Sequence, residues 1–283
     1  MESDLKRIAF DVSTYFIHDY NEIVKLKNTS FVNVEKFAHS SFRKILSEIR
    51  KNIMKKDKYV EFSMQEKIFS IFNYNNFTET NFFADQSLYI SKERDLPDSN
   101  KILKCFINPI SNLPGFLHGN NNVTIDIIIH INNILSEALI YNPITNETLH
   151  YEPSNGFYYN EYRMKQKDIT NLNEASCNII IYKPTDVMKF PKFITKLGYM
   201  DTINNLSNGI MNLISGKADF LINTNPQILN NDIYYQLIKN SGFEILILKD
   251  RNITEQYFNI EQKELENNEA IIIGNKRNLQ KLF

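Results

Sequence analysis

Tryptophan is absent and cysteine occurs only twice in 283 residues, at Cys105 and Cys177. Two cysteines cannot build a disulfide framework. Both stand inside apolar runs, which predicts small buried residues and a reducing, cytoplasmic setting. The eight glycines are widely scattered, so the sequence holds no glycine-rich phosphate loop. Charge of one sign is also lacking: at a net −1, no whole-protein field points toward nucleic acid, a membrane surface or an acidic partner. Any anion recognition must therefore be local. No apolar stretch approaches the ~20 residues that a membrane-spanning helix needs. The opening Met1-Glu2-Ser3-Asp4 is acidic, unlike the basic start of a secretory signal.

What is present is an ordinary globular balance, 42% hydrophobic and 23% charged, in a chain long enough for one large core or two halves. Leu5, Ile8, Ala9, Val12, Tyr15 and Phe16 recur at helical spacing and predict a helix over 4–20. Phe42, Ile45, Leu46, Ile49 and Ile53 predict a second helix over 35–54, whose basic end, 51–58, reads as a solvated face that suits the negative end of the helix dipole. Residues 59–90 receive no assignment. From Ile102 the pattern turns to strands: 102–107, 123–131 and 134–141, the last two joined by Asn132-Asn133 in a tight hairpin, then 148–151 and 156–159. A second half follows, with strands at 177–183, 219–222, 244–248 and 270–273 and helices at 190–197, 203–215 and 231–240. Mixed α+β and α/β packing is expected, with an N-terminal half over 1–170 and a C-terminal half over 171–283.

Three segments carry a family likeness. The first is Phe106-Ile107-Asn108-Pro109-Ile110-Ser111-Asn112-Leu113-Pro114-Gly115-Phe116-Leu117-His118-Gly119. The second runs Ala138-Leu139-Ile140-Tyr141-Asn142-Pro143, continues to Glu147, and is followed by Gly156-Phe157-Tyr158-Tyr159-Asn160. The third is Leu213-Ile214-Ser215-Gly216-Lys217-Ala218-Asp219-Phe220. Together they resemble the inositol monophosphatase family, over about residues 88–250. The first is similar to Asp-Pro-Ile-Asp-Gly-Thr followed by Asn-Phe and often His-Gly; the second to a strand ending in Tyr-Asn-Pro with a later Gly-Ala-Phe-x-Asn. Asn230 falls where the Asp of the family's Trp-Asp tract belongs, counted forward from Asp219 or back from Ser241-Gly242.

The resemblance implies a layered α-β-α-β-α sugar-phosphatase fold and magnesium-dependent hydrolysis of small phosphate monoesters. It implies metal ligands at a Glu-Glu pair, at both Asp of Asp-Pro-Ile-Asp and at the Trp-Asp carboxylate. This chain departs from that set: Asn108 and Ser111 replace the two motif Asp, Asn230 replaces the third, and Asn112-Leu113 replaces Gly-Thr. Ile90-Ser91-Lys92-Glu93 stands at the Glu-Glu distance, which leaves Glu93 as the surviving candidate metal ligand and Lys92 beside it; Gln65-Glu66 is the rival position. Magnesium is a hard cation that needs anionic oxygen. A carboxylate ~4 Å from a unit positive charge is worth roughly 4 kcal/mol at an effective dielectric of ~20, so three losses weaken the ion severely.

The expectation is therefore a catalytically inactive pseudoenzyme without a cofactor, acting as a binding or scaffold protein. Its pocket would lie near Asn108, Ser111, Asn112 and Asn230, with Lys92, Glu93, Asn112 and Asn230 as the ligand-binding residues, the amine of Lys92 partly replacing metal toward a small phosphate or other anion, and the chain would form a homodimer. The alternative keeps Mg and residual hydrolysis of an inositol, nucleotide or sugar phosphate. Under another motif register, ligands come from Asp95, Asp98 or Asp126, although Asp126 alternates within a strand and reads as solvent-facing. His118 reads as a structural loop residue, and His18, His39, His130 and His150 show no metal-ligand spacing. Phe157, Tyr158, Tyr159 and Tyr162 read as packing residues, and Asp219 as a support.

Overall fold

A computed structural model of the chain describes residues 4–26, 44, 47, 63–64, 88–93, 102–108, 110–112, 115–116, 118–131, 134–181, 190–224, 232–249, 252–253 and 270–282. Of the expected helix over 35–54 only residues 44 and 47 are described, and both are helical; the Asn132-Asn133 turn lies outside the described residues. Two compact units are present, Met1–Asn155 and Gly156–Phe283.

In the first unit, the predicted amphipathic helix forms as α1, Asp4–Leu26. Its apolar stripe of Leu5, Ile8, Ala9, Val12 and Phe16 is buried. Six strands follow: β1 (Ser63–Met64), β2 (Leu88–Glu93), β3 (Ile102–Asn108), β4 (Ile125–Ile131), β5 (Ile134–Asn142) and β6 (Glu147–Glu152). Each is antiparallel to the next in chain order. The expected meander is thus present, and it gains β1, from the unassigned stretch 59–90, and β2, which begins at its end. Strands β3, β4 and β5 are rich in isoleucine, whose branched side chain suits a pleated surface. Both faces of the central strands are covered: Ile127 and Leu139 on one, Ile128 and Ile140 on the other, are each 0% exposed. On the first of these faces the ring of Phe10 from α1 meets Tyr141 edge-on, with centroids 5.0 Å apart.

The second unit opens with the hairpin β7 (Gly156–Tyr159) and β8 (Tyr162–Arg163). Phe157 is buried as expected, Tyr158 and Tyr159 are half-buried, and Tyr162 is exposed rather than packed. Its sheet comprises β9 (Ser176–Ile180), β10 (Tyr199–Ile203), β11 (Phe220–Asn223), β12 (Glu244–Lys249), β13 (Asn252–Ile253) and β14 (Ala270–Gly274), in the order β10-β9-β11-β14-β12-β13. Strand β9 runs parallel to β10 and β11, while β14 is antiparallel to β11 and β12. Residues 190–197, expected as a helix, form only the 3-10 turn Lys192–Lys196. The helix expected from 203 begins later, as α2 at Leu206–Ile214, because Asn205 caps it through Ser207 N at 3.0 Å and residues 199–203 pair as β10. Helices α3 (Asp232–Asn240) and α4 (Lys276–Gln280) complete the unit. Gly209 lets α2 approach its sheet: a Cβ there would stand 2.8 Å from Leu221 Cδ1.

Cys177 is fully buried on β9, and burial pushes its thiol well above the usual range. Only the thiolate reacts, so peptide-resolved mass spectrometry should find Cys177 resistant to iodoacetamide in native protein and labelled after denaturation. Rapid native labelling would contradict this packing.

Candidate functional site

Strand β3 ends at Asn108, and the chain returns to β4 through residues 109–124. The pairing register sets Asn108 directly opposite Asp126. Opposed residues of antiparallel strands share a face, with Cβ atoms ~4.5–5.5 Å apart, so the amide and the carboxyl are neighbours. Asp126 is 0% exposed and accepts a 2.7 Å hydrogen bond from Thr124 Oγ1. The Thr124 hydroxyl also meets Ser111 Oγ. The backbone locks the same pair: Ser111 N donates to Thr124 O at 2.9 Å, and Thr124 N donates to Ser111 Oγ at 3.1 Å. Asn108 Oδ1 is buried without a hydrogen-bond partner among the described residues. A buried polar oxygen in that state needs an explanation, such as a ligand, ion or water.

The loop beside this cluster is built by asparagines. Asn112 donates from Nδ2 to Asn122 O at 2.9 Å and accepts Gly115 N on Oδ1 at 3.0 Å. Gly115 is required by that latch, since a Cβ would fall 2.3 Å from Asn112 Nδ2. From the other side Asn142 Nδ2 donates to Asn121 O at 2.8 Å, while its Oδ1 accepts Ile144 N and Thr145 N. Phe116 is buried between the rings of Phe16 and Tyr20 on α1, at centroid distances of 5.1 and 5.9 Å, and Tyr20 Oη donates to Gly119 O at 2.7 Å. His118 is exposed.

The burial of Asp126 corrects the expectation that it faces solvent. Alternation places a residue in water only when one sheet face is wet; here Ile128 and Ile140, on the face of Asp126, are as buried as Ile127 on the other. Lys92 and Glu93 are not brought to Asn108. Strand β2 is antiparallel to β3 and pairs Glu93 with Ile102, at the far end of β3; six residues at ~3.3 Å each separate that position from Asn108 by roughly 20 Å. The side chains of Lys92 and Glu93, and all of Leu113, Asn230, Asp95, Asp98, Gln65 and Glu66, lie outside the described residues. The structure thus joins Asn108 and Ser111 with Thr124 and Asp126, while Asn112 latches the adjoining loop. Thr124 went unnoticed in the sequence, although Thr-x-Asp on a strand puts both side chains on one face.

No family model matches this sequence, and none of the curated proteins does. Solved structures do. The extragenic suppressor protein SuhB from Bartonella henselae aligns over 100% of this chain and 97% of its own length, at 16% identity and a TM-score of 0.62. An inositol monophosphatase II from Staphylococcus aureus aligns over 99% and 92%, at 13% identity and a TM-score of 0.58. An IMPase from Thermotoga maritima covers 86% of this chain and 80% of its own, at 17% identity and a TM-score of 0.55. The chain has the inositol monophosphatase fold.

Within the inositol monophosphatase fold, Asp219 supports structure as expected. Its Oδ2 accepts Ser176 N at 2.8 Å and Ser176 Oγ at 3.0 Å, tying the start of β11 to β9. A different cluster went unrecognised in the sequence. Among the described residues, Glu137, His150 and Glu152 bring one ligand atom each to within 4.8 Å of one another. His150, expected to have no metal-ligand spacing, joins them because its partners stand across a strand pair and two residues along its own strand.

Proposed function

We propose that this inositol monophosphatase-like chain is a non-catalytic binding or scaffold protein. The observation carrying this reading is the donor set at the turn after β3. Ser111, at a position where the family likeness expects an Asp, has its hydroxyl engaged by Thr124, and Asn108 offers only a neutral amide oxygen. A hard divalent ion loses its hydration shell favourably only against anionic oxygens, so these residues do not fit the family's magnesium. Asn108 Oδ1, buried and without a hydrogen-bond partner among the described residues, is an acceptor and suits a ligand that donates a hydrogen bond, such as a polyol hydroxyl. Asn112 holds the loop rather than reaching outward, since both ends of its amide are used by backbone. A homodimer in a cytoplasmic setting completes the proposal; light scattering on the pure protein tests the dimer.

The enzymatic test is phosphate release from a panel of inositol, nucleotide and sugar phosphates. We expect no release that depends on added magnesium. Magnesium-dependent turnover that vanishes in Asn108→Ala would overturn the proposal. One observation favours the second reading, a residual magnesium-dependent phosphatase: the Asp126 carboxyl, directly opposite Asn108, is placed to supply an oxygen that the motif itself has lost. Under that reading Asp126→Asn abolishes the turnover as well.

A further inference from the structure

Strands β5 and β6 pair with Ala138 opposite Tyr151 and Leu139 opposite His150. Extending this register by one residue sets Glu137 opposite Glu152. Glu137, His150 and Glu152 therefore project from the same face of the sheet, the one bearing Ile127 and Leu139, and not the one bearing Asn108 and Asp126. His150 Nε2 lies 3.2 Å from Glu137 Oε1 and 3.7 Å from Glu152 Oε1. The imidazole is 5% exposed, while the Glu137 and Glu152 side chains keep 26% and 33% of their surface in water. Two acidic side chains directly opposite one another on neighbouring strands repel, and a cation bound between them would relieve that repulsion.

We propose that Glu137, His150 and Glu152 form a binding site for a divalent transition metal of the zinc type. One imidazole nitrogen and two carboxylate oxygens suit such an ion better than magnesium, which prefers oxygen alone. Zinc bonds of ~2.0–2.2 Å in tetrahedral array separate ligand atoms by roughly 3.3 Å. The two distances from Nε2 already approximate that edge, and the third side closes by rotation of two partly exposed glutamates. Three protein ligands leave a fourth position, and the solvent exposure of both carboxyls provides its access. The buried imidazole supplies the fixed member of the set. This site is independent of the reading given above for Asn108.

Isothermal titration of the full chain with Zn²⁺, Mn²⁺ and Mg²⁺ tests the proposal, with thermal unfolding in parallel. One zinc ion per chain is expected, with Mn²⁺ weaker and Mg²⁺ weakest. Removing groups that merely orient a metal ligand costs roughly 10–100-fold in affinity, so Glu152→Gln, a conservative change at a partly exposed position, should weaken zinc by about a hundredfold. Asp126→Asn should leave zinc uptake unchanged, which separates this site from the cluster at Asn108. Cobalt loading should give visible absorption of a four- or five-coordinate ion in the unaltered chain and not in Glu152→Gln. Absence of zinc uptake at micromolar free metal would mean that His150 serves only as an ion-pair partner of the two glutamates, and the proposal would fall. Uptake unaffected by both Glu152→Gln and His150→Gln would overturn it equally.

Discussion

Phe116→Ala should lower the unfolding free energy of the first unit by about 3–5 kcal/mol, the usual cost of removing a fully buried phenylalanine from a core. The ring is 0% exposed and packs edge-on against Phe16 and at a tilt against Tyr20. Such aromatic pairs add roughly 0.5–1.5 kcal/mol beyond the area they bury. Since a whole domain is stable by only ~5–15 kcal/mol, the loss is large. It should also loosen the turn carrying Asn108 and Ser111, because Phe116 anchors that turn to α1. Urea unfolding followed by far-ultraviolet circular dichroism gives the value. A change under about 1 kcal/mol would mean that the loop does not dock on α1 through this ring.

Asn108→Asp should be destabilising in the absence of divalent ions and should make stability depend on magnesium. The new carboxyl would stand opposite Asp126 on the neighbouring strand, inside a buried cluster. Two unit charges ~5 Å apart repel by roughly 3 kcal/mol at an effective dielectric of ~20, and one carboxyl escapes this only by holding its proton. A bound divalent cation reverses the sign of the effect. The expected result is a lower melting temperature in a chelator and a rise on adding millimolar magnesium, with no comparable rise in the unaltered chain. Equal magnesium responses in both proteins would show that the substitution at 108 is not what weakens the site, and would favour the phosphatase reading.

Local signals carried a good part of this fold. The stripe from Leu5 to Phe16 announced α1, and the isoleucine-rich stretches from 102 to 141 announced the meander, because each buries its own periodic face. The strands over 176–180, 220–223, 244–249 and 270–274 were equally legible. Strand β10 was missed, since its first four residues, Tyr199, Met200, Asp201 and Thr202, are exposed and show no apolar pattern. Residues 190–197, expected as a helix, form only the 3-10 turn Lys192–Lys196, because Pro191 and Gly198 confine it to a single turn.

The candidate site divided along the same line. The motif positions Asn108, Ser111 and Asn112 could be found by spacing, since they lie within one short loop. That Asp126 is buried opposite Asn108 could not, because alternation reports the two faces of a strand but not whether both are covered. Likewise, Glu93 was assigned by its distance along the chain, which says nothing of strand direction; the antiparallel pairing of β2 with β3 carries it to the other end of the strand.

The sequence by itself determined which segments bury an apolar face, hence α1, the isoleucine-rich strands and the mixed architecture, and it determined that neutral side chains stand at three positions where the family likeness expects carboxylates. Only the tertiary structure decided which polar groups meet: Asp126 with Thr124 and Asn108, and His150 with Glu137 and Glu152. Periodicity is a property of a single segment, while such encounters depend on strand register and on what covers each face of the sheet, and both are set by partners distant in the chain.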